Sequence, residues 1–163
     1  VLGKIPILIF GASLMLFNLA YAAEPDCFEL AGRDAKIDPD LLRAIAWHES
    51  GLSNAAIGDN ALAGFSPGFG FGLMQVDSQH LKFLAQYGID KESLNSDICT
   101  NIYVGTYFLA IAFNRLGDSW EAVGAYNAGF SKRPIQEKRR KDYARRIKLS
   151  YSNIKLAESR RVR

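Results

Sequence analysis

Between residues 27 and 129 the chain is written as short helices separated by explicit start and stop signals, and this punctuation limits the fold more than any other feature. Residues 27–35 read as a short amphipathic helix. Asp38-Pro39 opens a second helix, with Asp as the cap and Pro at the first helical position, where a missing N–H costs nothing. Leu41, Leu42, Ile45 and Ala46 follow at helical spacing, and Gly51 ends the run. A further helix is expected at about 78–87. The longest covers about 97–116, with Ile98, Ile102, Gly105, Leu109, Ala112, Phe113 and Leu116 as its buried stripe. Gly117 stops it, and Ser119 caps the next helix, which carries Ala125 to Gly129. Residues 51–72 hold Gly58, Gly64, Pro67, Gly68 and Gly70, a long loop with room for a small hairpin. Such loops in compact domains are often functional. There is no internal repeat, and 163 residues suit one domain. The expected fold is mainly α.

The second helix ends in Trp47-His48-Glu49-Ser50. A carboxylate in a last helical turn feels the negative end of the helix dipole, which disfavours ionisation as a general acid requires. Taken by itself, Glu49 reads as an ordinary glutamate on a solvated face. Three patterns downstream weigh against that: Phe69-Gly70-Phe71-Gly72-Leu73-Met74-Gln75, then Asn101-Ile102 with Gly105, then Ala125-Tyr126-Asn127-Ala128-Gly129. Each is unspecific by itself, whereas the four in this order are specific. Together they resemble the lytic transglycosylase family, which has a lysozyme-like fold and cuts the glycan strands of bacterial peptidoglycan. The resemblance covers about residues 27–130.

Most glycosidases divide proton delivery and charge stabilisation between two carboxylates. The family resembled here uses one. Its Glu protonates the bond between N-acetylmuramic acid and N-acetylglucosamine, then acts as base on the sugar's own 6-hydroxyl. The product is a 1,6-anhydro end, no water is consumed, and the substrate's N-acetyl group stands in for the second carboxylate. By this resemblance Glu49 is the catalytic residue, and the Tyr126 hydroxyl contacts and tunes it. Trp47, Phe71 and Met74 are the expected apolar neighbours of Glu49. Gly72, Met74 and Gln75 line the cleft, Gln75 offering both halves of its amide to the sugar, and Asn127 joins the substrate-binding set. Asn101, Ile102 and Gly105 are expected to allow close helix packing.

Two departures stand out. Gly58 falls where the family has a serine lining the site, and Gly70 falls where a close subgroup places an acid. Asp59 and Asp77 are the acids near the motifs, and Asp59 is the candidate if a second carboxylate exists. That keeps a hydrolytic muramidase on the same fold open, as well as an inactive glycan-binding scaffold. His48 and His80 lack metal-ligand spacing, so no metal is expected. Residues 64–72 carry no phosphate-loop signature, so no nucleotide or other cofactor is expected.

Residues 1–22 read as an export signal: Lys4, an apolar run from Ile5 to Leu19, and Ala20-Tyr21-Ala22 as the cleavage site, with cutting after Ala22. An uncleaved anchor is the alternative. Export implies a periplasmic protein, where Cys27 and Cys99 can persist as a disulfide; two buried free thiols are the alternative. Charge divides the remainder. Residues 23–131 hold 6 basic and 14 acidic side chains, a net of −8, whereas residues 132–163 hold 13 and 3, a net of +10. We therefore divide the chain into 1–22, a transglycosylase domain at 23–131 and a basic helix or tail at 132–163. Tyr143, Ile147 and Tyr151, four apart, could dock that helix on the body, with fraying expected from about residue 152. Its cations suit an anionic surface or simple solvation; nucleic acid is a poor match, since no recognition fold is visible. The short exported members resembled here open the wall locally for secretion, conjugation or pilus machines, so envelope-spanning proteins are the expected partners beside peptidoglycan itself.

Overall fold

The structure, a computed structural model, describes residues 26–161 apart from 63, 65 and 66; the expected signal segment lies outside these residues. Helix α1, Cys27–Ala35, is capped by Asp26, whose carboxylate accepts from the Glu29 N–H. Helix α2, Pro39–Ser50, starts as its Asp-Pro signal requires and stops at Gly51, which takes the left-handed conformation (φ 62°). The glycine-rich loop contains the expected hairpin, and one more strand follows it. Strands β1 (Ile57–Asp59), β2 (Phe69–Phe71) and β3 (Val76–Asp77) form an antiparallel sheet in that order. Gly58 faces Gly70 across the first pair, and Gly70 faces Asp77 across the second.

The expected helix at 78–87 is broken. A 3-10 turn at Ser78–His80 leads into α3 (Leu81–Leu84), and a second 3-10 turn at Ala85–Tyr87 ends at Gly88. Helix α4, Lys91–Ser96, was not foreseen; six residues are too few for periodicity, and it is set by a reciprocal cap between Asp90 and Ser93. Helix α5, Ile98–Leu116, is capped by Asp97, and α6, Trp120–Ala128, by Ser119.

Helix α5 is the axis of the domain because it is buried on two sides. Ile102 and Leu109 join Leu42, Ile45, Met74, Tyr143 and Ile147 in the main core. Val104 packs under the sheet with Phe71, Val76, Leu84 and Leu94. The stripe is thus wider than expected, and Ile98 at its start is 48% exposed. A disulfide joins Cys27 of α1 to Cys99 of α5 across 72 residues. Closing a loop of that length stabilises by about 4 kcal/mol in the chain-entropy model.

The basic segment forms helix α7, Pro134–Arg161. It packs into the same core and is no loose tail. Buried Arg140 donates to the Gly129 and Ser131 carbonyls at 3.0 and 2.7 Å, closing the end of α6. Gly124 lets α6 and α7 approach, since a Cβ there would lie 2.4 Å from the Arg140 carbonyl oxygen. Beyond residue 152 the helix continues through Arg161, tied at Lys155 to the buried Asp40 carboxylate at 2.8 Å. Tyr151 donates to Asp38 at 2.7 Å. These contacts run α7 antiparallel along α2. Among the described residues no helix is long and apolar enough to cross a membrane.

Candidate active site

The Gly51 stop leaves Glu49 in the last turn of α2, where it meets α7. The Tyr143 hydroxyl donates to Glu49 Oε1 at 2.5 Å. Glu49 is half-buried as a residue, with its carboxyl closely packed round. Burial pushes its pKa up to about 7, against the opposing pull of the Tyr143 hydrogen bond and the Arg146 charge. Burial also raises Tyr143 and Tyr126 well above the ordinary phenol value, with the Glu49 charge adding to it. Both phenols therefore remain neutral donors near neutral pH.

The expected apolar neighbours of Glu49 differ in burial. Trp47 is 60% exposed, Phe71 lies in the core beneath the sheet and Met74 is fully buried in the main core. The Tyr126 hydroxyl, expected on Glu49, donates to the Met74 carbonyl at 2.7 Å. The hydroxyl on Glu49 comes from the basic helix. Spacing marked Tyr143 for docking, and nothing in the sequence marked its oxygen for this contact.

The segment Leu73-Met74 is gripped by one side chain from each of three helices. Ser50 Oγ of α2 donates to the Leu73 carbonyl at 2.9 Å. Asn101 Oδ1 of α5 accepts from the Met74 N–H at 2.8 Å, and Tyr126 of α6 takes the Met74 carbonyl. Asn101 is wholly buried, and its Nδ2 also donates to the Phe71 and Leu94 carbonyls at 2.8 and 2.9 Å. Both donors and one acceptor position of that amide are used, so it joins α4, α5 and the sheet. Expected as a small residue for helix packing, Asn101 is a polar staple; the available signal was a lone amide within an apolar stripe.

Met74 and Gly72, expected along the cleft, are packed inward by this grip. Met74 has no exposed surface, and Gly72 is buried against Asn101. Gln75 and Asn127 stay half-exposed. Gln75 is narrower in capacity than expected, because its Nε2 already donates to the Ala56 and Gly72 carbonyls at 3.2 and 2.8 Å. Its Oε1 lies over the sheet, where a Cβ on Gly58 or Gly70 would come within 2.3 or 2.6 Å of it. The two sequence departures are therefore cross-strand partners, and the space vacated by their side chains is where Gln75 lies.

Asp59 is occupied elsewhere: its Oδ1 accepts from the Ala61 and Leu62 N–H groups at 2.9 and 3.2 Å, a turn-forming role. Asp77 caps the first 3-10 turn through the Gln79 N–H and accepts from Asn60. His80 stacks on Phe108, while His48 accepts a hydrogen bond from Arg146.

Comparison with known proteins bears on family and fold. The profile of the transglycosylase SLT domain matches residues 26–149, and so takes in Tyr143. The X polypeptide of Escherichia coli strain K12 is 57% identical over 137 residues, 84% of this chain and 79% of that protein. Invasion protein IagB of Salmonella typhimurium is 39% identical over 87% of this chain and 83% of its own length. Lytic transglycosylase Slt of Pseudomonas aeruginosa, solved as an inactive mutant, superposes with a TM-score of 0.59 over 81% of this chain at 20% identity, a likeness of fold. This chain spans 24% of the length of that protein. With the profile spanning most of the described residues, the chain belongs to the SLT-type lytic transglycosylase family.

Proposed function

We propose that the protein cleaves the β-1,4 bond between N-acetylmuramic acid and N-acetylglucosamine in peptidoglycan, with Glu49 as acid and then base. The observation that carries this reading is the Glu49 carboxyl, with a pKa of about 7 and one oxygen engaged by Tyr143. A carboxylic acid with that pKa is substantially protonated at neutral pH yet yields its proton readily. Tyr143 occupies Oε1, and in this scheme Oε2 serves the substrate. In the first step the carboxyl gives its proton to the glycosidic oxygen as the C1–O4 bond breaks. In the second, the carboxylate removes the proton of the C6 hydroxyl, whose oxygen bonds to C1 and closes the 1,6-anhydro ring. Glu49 ends protonated, and no water enters the products.

Tyr126 acts one step removed in this scheme, holding the Met74 carbonyl and so the turn that presents Gln75. Gln75 Oε1 serves as acceptor for a substrate N–H or O–H, and Asn127 belongs to the same substrate-binding set. The turn-forming role of Asp59 Oδ1 weighs against Asp59 as the second carboxylate of a hydrolase. The protein works in the periplasm, exported by the segment ending at Ala22, and opens the wall locally for an envelope-spanning secretion, conjugation or pilus assembly. Its likeness to an invasion protein supports that setting.

Mass spectrometry of products from purified peptidoglycan tests the reaction. Anhydromuramic ends that disappear with Glu49→Gln are expected. Reducing muramic ends would replace the reading with hydrolysis, and an absence of product from folded wild type would leave a glycan-binding scaffold.

A further inference from the structure

A second contact runs beside the Tyr143–Glu49 bond, and the proposed chemistry does not use it. His48 and Glu49 are consecutive on α2, whereas Tyr143 and Arg146 lie three apart on α7, one above the other on a helical face. Arg146 Nε donates to His48 Nε2 at 3.2 Å. The His48 ring meets the Tyr143 ring edge-on, with centroids 5.3 Å apart and planes at 79°. The Arg146 guanidinium carbon lies 6.0 Å from the centroid of the same Tyr143 ring. The tyrosine that reaches Glu49 thus has its ring bordered by an imidazole and a guanidinium that are bonded to each other.

The arrangement requires a particular state of His48. A ring nitrogen that accepts a hydrogen bond carries no proton, so His48 is neutral here. Burial and the Arg146 charge both hold it below the ordinary imidazole value. The groups that bear on the Glu49 carboxyl are Tyr126 from α6 and Tyr143 and Arg146 from α7. Of these only Arg146 is charged. His48 and Arg146 are both exposed, and exposed polar contacts of this kind add little to stability.

We infer that His48 and Arg146 are positioning residues for Glu49: their hydrogen bond closes the α2–α7 contact outside Tyr143, holds that phenol in the orientation that reaches the carboxyl, and stations one positive charge beside it. The consequence for rate rests on the transglycosylase reading; the consequence for Glu49 itself does not.

The test separates the two. Protein carrying carbon-13 at the glutamate carboxyls is titrated by NMR, with the Glu49 signal assigned from its loss in Glu49→Gln. Arg146→Met, His48→Leu and His48→Gln are compared with wild type, and kcat, KM and the melting temperature are measured alongside. Arg146→Met should move the Glu49 midpoint upward, because a charge favouring the carboxylate is gone. It should lower kcat by up to about 100-fold, what a misplacement of roughly 1 Å can cost, with KM unchanged. His48→Leu should lower kcat in the same way, and His48→Gln, whose amide oxygen can accept from Arg146, should restore it. Titration and kcat that match wild type in both Arg146→Met and His48→Leu would overturn the inference. So would a lower melting temperature with the titration unmoved, which marks a purely structural contact. A wild type in which Arg146→Met moves the midpoint, but which releases no product, would overturn the enzymatic reading and leave this arrangement standing.

Discussion

Replacing Glu49 by Gln should stabilise the protein, and by an amount that depends on pH in a defined way. Gln keeps the shape and still offers an oxygen to Tyr143 but cannot ionise. The wild-type carboxyl has a pKa of about 7 in the fold against 4.5 when free. At about 1.4 kcal/mol per unit this gap corresponds to roughly 3 kcal/mol. Below 4.5 both states hold the proton, and Glu49 makes no pH-dependent contribution. Between 4.5 and about 7 the folded state holds the proton more tightly than the unfolded one, so wild-type stability falls as pH rises. Above 7 both states are ionised and the full cost of the desolvated carboxylate is present. Urea unfolding of both proteins across this range should therefore show little difference in acid. A gap should open through the middle and level off near 3 kcal/mol in favour of Glu49→Gln. A difference independent of pH, or a variant less stable than wild type in base, would refute the claim that burial governs this carboxyl.

Tyr143→Phe keeps the ring and removes the hydroxyl on Glu49; because that bond favours the carboxylate, the midpoint of the basic limb in a pH–rate profile should move upward, and kcat should fall roughly ten- to a hundredfold. Asn101→Ala strands the Met74 N–H and the Phe71 and Leu94 carbonyls in the interior; urea titration should show a loss of about 3 kcal/mol or more, and a loss under 1 would mean that the site relaxes. Gly70→Ala places a Cβ against Gln75 Oε1; a displaced Gln75 should appear as a raised KM for glycan strands with the melting temperature less affected. Replacing Cys27 and Cys99 together by Ser should cost about 4 kcal/mol in the chain-entropy model, read by urea unfolding under identical buffer conditions.

What this sequence determined by itself is local. The Asp38-Pro39 start and the Gly51 stop bracket α2 and so put Glu49 in its last turn, because caps and terminators act within one helical turn. Asp97 and Ser119 do the same for α5 and α6. The long periodic helices were legible for the same reason. Helix α4 and strand β3 were not, since six and two residues carry no readable period. The site is assembled by contacts at long range: Tyr143 lies 94 residues from Glu49, Tyr126 lies 52 from Met74, and Asn101 lies 27 from it. Periodicity tells which face of a helix is buried and says nothing of which helix lies opposite. The motif tyrosine thus went to a backbone carbonyl, and the tyrosine on the acid came from the basic segment set apart by its charge. That exchange was decided when α7 folded back antiparallel along α2, through Lys155 on Asp40, Tyr151 on Asp38 and Ile147 in the core. Burial of the carboxyl, and with it the pKa that suits it to proton transfer, exists only after that packing has taken place.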